Sequence, residues 1–150
     1  MYSSLLTLPT TDEYKDLYLD EYNAKQIFTF DNIKVQFPKG KFFHLFKESS
    51  TRSKERHKDQ WSWTRLQRIL WIKKALQDNS ADLYEGWDDD KAAYTKERRV
   101  CRVDSNYVVV IRLVSATESQ ILTAYLVDTD RTLEIIKNSP TWTMPDKFKE

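Results

Sequence analysis

The chain has little of what most often betrays a mechanism. One cysteine among 150 residues, Cys101, rules out an internal disulfide framework and suits a reducing compartment. Two glycines and four prolines leave no room for a long flexible linker or a low-complexity tail. No apolar run approaches the ~18 residues that a membrane-spanning helix requires. The opening MYSSLLTLPTTDEYKD has no basic region followed by a long apolar stretch, so no signal peptide is expected. These absences create the expectation of a soluble, cytoplasmic protein without a membrane partner. P-loop, GxGxxG and nucleophile-elbow strings are missing too. Metal ligands are scarce: one Cys, two His, and an Asp run at 88–90 without EF-hand spacing. Neither a metal nor a cofactor is expected.

What is present is aromatic and charged. Hydrophobic residues reach only 40%, but aromatics supply 13%, five Trp among them, and large rings can drive burial where aliphatics are few. At this length one domain can bury its own core. A net charge of +1 makes the chain as a whole no magnet for nucleic acid. The charge is uneven, however. RSKERHK (52–58) and KERRVCR (96–102) are basic, while Asp12–Asp20 and Asp88, Asp89 and Asp90 are acidic patches. Such basic clusters either bind phosphate locally or form ordinary solvated faces.

Periodicity orders the chain. Tyr14, Leu17, Tyr18 and Tyr22 follow TTDEY at helical spacing, predicting an amphipathic first helix with a polar cap. IKVQF alternates as a half-buried strand, and KFFHLFK (41–47) reads as a helical turn. ESSTRSKERHKD reads as an exposed loop. From Asp59 to Gln77 the pattern is helical again, with Leu66, Ile69, Leu70, Ile72 and Leu76 on a wide apolar face. Four strand candidates then follow: LYEGW (83–87), ERRVCRV (97–103), YVVVIRLV (107–114) and QILTAYLV (120–127). The short link Asp104-Ser105-Asn106 should make a hairpin of the second and third. TDRTLEIIKNS predicts a short C-terminal helix. Helices first and a strand meander later indicate an α+β fold.

Strand alternation then sorts the polar residues by face. Arg112 falls with Val108, Val110 and Val114, where a guanidinium needs a partner or a wet cleft. Thr123 and Tyr125 fall with Ile121 and Val127. Arg98 shares a face with Arg102, while Arg99 lies with Cys101 and Val103. Arginines beside a hydroxyl and a phenol are a candidate phosphate cradle; the simpler alternative is ordinary strand formers and solvated arginines. His44 sits among Phe42, Phe43, Leu45 and Phe46, either as a hydrogen-bonded core residue or as a general acid or base. His57 reads as solvated.

Taken in order, IKVQF, the His-bearing FFHLF, the basic helix TRLQRILWIKKAL, the strands RRVCRVDSNYVVVIRLV, then LTAYLV and IIKNSPTW carry a resemblance. The series resembles the phage-type branch of the superfamily that groups barnase, EndoU, colicin-like RNases and RelE (BECR). The resemblance covers residues 33–142 as a core, with 1–30 as an N-terminal helical extension of a single 1–150 domain. It implies N-terminal helices packed on a four-stranded antiparallel sheet, with a short C-terminal helix. It further implies a metal-independent endoribonuclease, phage- or toxin-related, in which the 2′-OH attacks phosphorus to leave a 2′,3′-cyclic phosphate. His44 matches the helix histidine, Thr123 and Tyr125 the last-strand TxY, and Arg98 or Arg99 the basic strand position. Arg112 is a further catalytic candidate, with Arg65 and Lys41 behind it. EndoU-like members use two histidines, where this chain offers only one well-placed His, His44. An exposed Trp near the cleft could stack bases. The implied partners are an RNA substrate, tRNA or another, and an immunity or antitoxin protein. The alternatives are a non-catalytic RNA- or protein-binding module of the same fold, and an immunity- or antitoxin-type protein whose acidic stretches face a basic partner.

Overall fold

The computed structural model describes residues 2–48 and 60–149. The basic stretch 52–58, with His57, lies outside them.

Helix α1 (Thr11–Tyr18) begins where Thr10 accepts a hydrogen bond from the Glu13 amide, with Asp12 and Glu13 in its first turn. A π-helical turn, Leu19–Asn23, continues it and keeps Tyr22 on the face of Tyr14 and Tyr18. All three rings are buried, and each hydroxyl donates to a backbone carbonyl: of Leu6, of Pro38 at 2.7 Å, and of Ile69. Polar atoms buried this way are satisfied, so the rings contribute apolar area without a desolvation penalty.

Strands β1 (Ile27–Phe28) and β2 (Lys34–Gln36) form a short antiparallel pair. Helix α2 (Lys41–Phe46) follows and buries Phe42, Leu45 and Phe46. Strands β3 (Lys47–Glu48) and β4 (Gln60–Trp61) pair as a separate two-stranded sheet. The helix expected from 59 to 77 is two helices, α3 (Trp63–Leu66) and α4 (Ile69–Leu76). Ser62 caps the first by accepting from the Arg65 amide. Strands β5 (Asp82–Asp88), β6 (Ala93–Val103), β7 (Tyr107–Leu113) and β8 (Glu118–Leu126) form the meander, and α5 (Asp130–Lys137) follows.

The α+β class and the short C-terminal helix stand, but the four-stranded antiparallel sheet does not. The main sheet is six-stranded and mixed, in the order β1-β2-β8-β7-β6-β5. Its extra strands enter because β2 runs parallel to β8, Lys34 opposite Glu118 and Gln36 opposite Gln120. Ser119 Oγ donates to the Lys34 carbonyl at 3.0 Å and fastens this join. The expected C-terminal helix, α5, packs on the sheet after the meander.

The sheet's two faces have different covers. On one, Cys101, Val109, Ile111, Leu113, Ile121 and Ala124 join the tyrosines of α1 and the apolar sides of α2, α3 and α4 in the main core. On the other, Val108, Val110 and Val127 lie under Ile136 and Leu133 of α5. A bulge decides which face the last strand's residues take. Val110 is opposite Thr123 while Ile111 is opposite Ile121, so Leu122 is the extra residue. Ile121 therefore enters the main core, opposite to its expected companions Thr123 and Tyr125. Among the described residues no helix is long and apolar enough to cross a membrane.

Candidate functional site

Helix α5 covers only part of its face, and the remainder is a groove of about 280 Å³. Val100 and Val110 make its apolar floor, with Arg98, Thr123 and Tyr125 among its walls. Three of the residues singled out in the sequence therefore converge. Tyr125 is partly buried, and the Arg65 guanidinium lies 5.8 Å from its ring centroid. Burial raises the phenol's pKa, with Arg65 pulling the other way. The hydroxyl is thus a protonated donor at neutral pH rather than a base.

Arg112 is exposed and sits directly opposite Arg98 across β6 and β7. The cluster under α5 includes Val108 and Val110 but stops short of it, so the guanidinium is no intruder in an apolar layer. It lines a second cavity, of about 340 Å³, with Lys91, Lys147, Glu97 and Gln120. Glu97 is already bonded to Lys147 at 2.5 Å and lies 3.7 Å from Lys91. Neither the Arg98 nor the Arg112 side chain has a hydrogen-bond or ion-pair partner among the described residues. Lys41, at the start of α2, has its pKa lowered by burial and then by the charge of Arg98.

Arg99 and His44 lie elsewhere. Arg99 points to the opposite face and is 1% exposed. It donates twice to Asp31, at 2.8 and 3.1 Å, with the rings of Trp142 and Phe30 4.7 and 5.4 Å from its guanidinium carbon. That clamp joins the β1–β2 turn and the C-terminal segment to β6; it leaves no donor pair for a ligand. His44 is exposed on α2 and lines neither cavity. Cys101 is buried, which pushes its thiol up to about 12. Among the described residues no group of three or more His, Cys, Asp and Glu side chains could hold a metal ion.

Other participants escaped the sequence reading. Between Glu85 opposite Arg99 and Gly86 opposite Thr95, the residues Lys96, Glu97 and Arg98 have no partner on β5. This wide irregularity bends the hairpin and brings Trp87 and Tyr94 into the groove wall. Gly86 is required there for space. A Cβ on it would meet Arg98 Cβ at 2.7 Å and the Arg98 carbonyl oxygen at 3.3 Å. Those atoms are not a flexible tip, so β6 itself would have to move. Gly86→Ala is expected to cost about 1–3 kcal/mol by overpacking and to displace Arg98. Urea denaturation checks the first effect, and wild-type stability would count against the packing argument. A glycine between Glu and Trp was the one available signal, since strand glycines mark bulges or close backbone approaches.

Chemically, the groove offers unpaired guanidinium donors, a hydroxyl, a protonated phenol and an aromatic rim. Donors of that kind can hold a phosphate, and such a rim a planar ring, without proton transfer. Comparison of the chain with known protein families, with curated proteins and with solved structures returns no match.

Proposed function

We propose that this chain is an RNA-binding module that holds backbone phosphates on the open part of the α5 face. The observation that carries the reading is the Arg98–Arg112 pair. Like charges directly opposite on a sheet are destabilising, and among the described residues no carboxylate is bonded to either. Lys41 adds a third cation close enough for its titration to feel Arg98. Like charges set side by side at a cost to the fold, with no carboxylate bonded to the arginines among the described residues, suit a polyanion, which supplies the missing charge on binding. Thr123 and Tyr125 add hydroxyl donors to phosphate or sugar oxygens. The choice of RNA among polyanions draws on the resemblance to the barnase–EndoU–colicin–RelE superfamily.

Binding is favoured over cleavage because transesterification needs an acid and a base beside the phosphate. The histidine that the resemblance puts in that role, His44, lies outside the groove, whose acid–base side chains are instead one carboxylate, Glu85, and the phenols of Tyr94 and Tyr125. The test is fluorescence anisotropy with a labelled uridine dodecamer over a series of salt concentrations, with EDTA present throughout. Affinity should fall log-linearly with salt while the oligonucleotide stays intact. Absence of binding at low salt would overturn the proposal. Cleavage abolished by His44→Ala would replace it with the ribonuclease reading.

A further inference from the structure

We infer that Trp87 and Tyr94 are a base-stacking shelf at the mouth of the groove, which makes the occupant single-stranded RNA rather than a duplex. This rests on the phosphate-binding reading above and assigns the part of the ligand that the arginines do not touch.

The two rings are partners across the β5–β6 hairpin, 5.3 Å apart and edge-to-face at 84°. That geometry uses the edge of one ring against the other and leaves a ring face open. Trp87 is 50% exposed and Tyr94 37%, with Ile135 of α5 at 53% beside them in the same wall. Clustered apolar exposure of this kind marks an interaction surface. Its position narrows the partner. The rings share one cavity with Arg98, and Arg98 stands in the cationic row with Arg112. An apolar protein surface laid over them would bury the unpaired Arg98 guanidinium, which is costly. A nucleotide answers both needs, placing a base on Trp87 and a phosphate at Arg98.

The shelf is also held in place. The register that pairs Trp87 with Tyr94 follows directly from the Lys96–Arg98 irregularity, and Ser139 Oγ lies 3.4 Å from the Tyr94 hydroxyl. At about 280 Å³ the groove is large enough for a base and its phosphate. Bases in a duplex are stacked on each other and present no free face. Recognition by an aromatic shelf therefore demands unpaired bases.

The test compares three probes by anisotropy or competition: the uridine dodecamer, an RNA duplex of equal length, and inorganic polyphosphate as a base-free polyanion. The wild-type protein should prefer the single strand over both others. Trp87→Ala and Tyr94→Ala should each weaken the single strand about tenfold, with Trp87→Phe close to wild type and the salt slope unchanged. Their affinity for polyphosphate should not move. Thermal melts of all three variants establish that each is folded. Wild-type affinity of folded Trp87→Ala and Tyr94→Ala for the dodecamer overturns the shelf, as does equal wild-type binding of duplex and single strand. If Arg98→Ala weakens polyphosphate while the aromatic variants change nothing, phosphate binding survives and only the shelf fails. If no probe binds, both readings fall together.

Discussion

Arg99→Ala should destabilise the protein by about 3 kcal/mol, the largest loss expected from changing a single charged side chain among the described residues. The side chain is fully buried, its guanidinium paired twice with Asp31 and flanked by Trp142 and Phe30. Truncation removes an ion pair, leaves a cavity between two rings, and strands a carboxylate. Breaking a buried pair costs about 3–5 kcal/mol. The lower end applies here because the Asp31 side chain is 31% exposed and can rehydrate. Urea or thermal unfolding measures the loss, and a change below about 1 kcal/mol would contradict the clamp. The effect has a pH signature. Burial acts to raise the Asp31 pKa, but hydrogen bonds from Arg99 and Thr29 outweigh it and hold the carboxyl below its usual range. A depressed carboxylate stabilises the fold above its unfolded pKa, near 3.9, and that gain disappears as pH falls through the lower folded value. The gap between wild type and variant should thus be steady from pH 5 to about 8 and narrow below about pH 4.

The second large effect belongs to the groove. Arg98→Ala with Arg112→Ala should lower affinity for the uridine dodecamer about 10- to 100-fold at low salt, through two lost charge-assisted phosphate contacts. The slope of log affinity against log salt should become shallower by about 1.4, at roughly 0.7 per contact on a single strand. Folding stability should hold or rise, because the two side chains repel each other across β6 and β7. Loss of affinity with an unchanged slope would mean that the arginines shape the groove without meeting phosphate. The contrast with Arg99 is sharp: adjacent arginines on one strand, one stabilising the fold and the other available to a ligand.

That contrast was legible only in part. Alternation along ERRVCRV placed Arg98 and Arg99 on opposite faces, and the strand does so. Alternation does not say which face is closed. Arg99 is structural because Asp31, Phe30 and Trp142, far apart in sequence, meet around it. Arg98 is half-buried, lining a groove whose other wall is α5, and its side chain has no partner among the described residues. Thr123 and Tyr125 were correctly put side by side, yet their company was misjudged. The bulge at Leu122 sends Ile121 to the other face, and a bulge leaves little trace in an apolar run.

The sheet's size shows the same division. Local pattern was enough for the helices of the tyrosine stripe and the α2 segment, for the β6–β7 hairpin and for the C-terminal helix. Those elements depend on period, caps and short links, all of which are written in neighbouring residues. The six-stranded mixed order was not. It needs the three residues of β2 to pair in parallel with β8 some 85 positions later, and so short a strand carries no register information of its own. By itself, then, the sequence determined the α+β class, the burial stripes and the candidate residues Arg98, Thr123 and Tyr125. Tertiary structure decided that they share a groove with Trp87 and Tyr94, that Arg112 extends the cationic row, that Arg99 is a clamp, and that His44 stands apart. Periodicity assigns a residue to a face; only packing between distant segments determines whether that face is buried, covered by a helix or left open to a ligand.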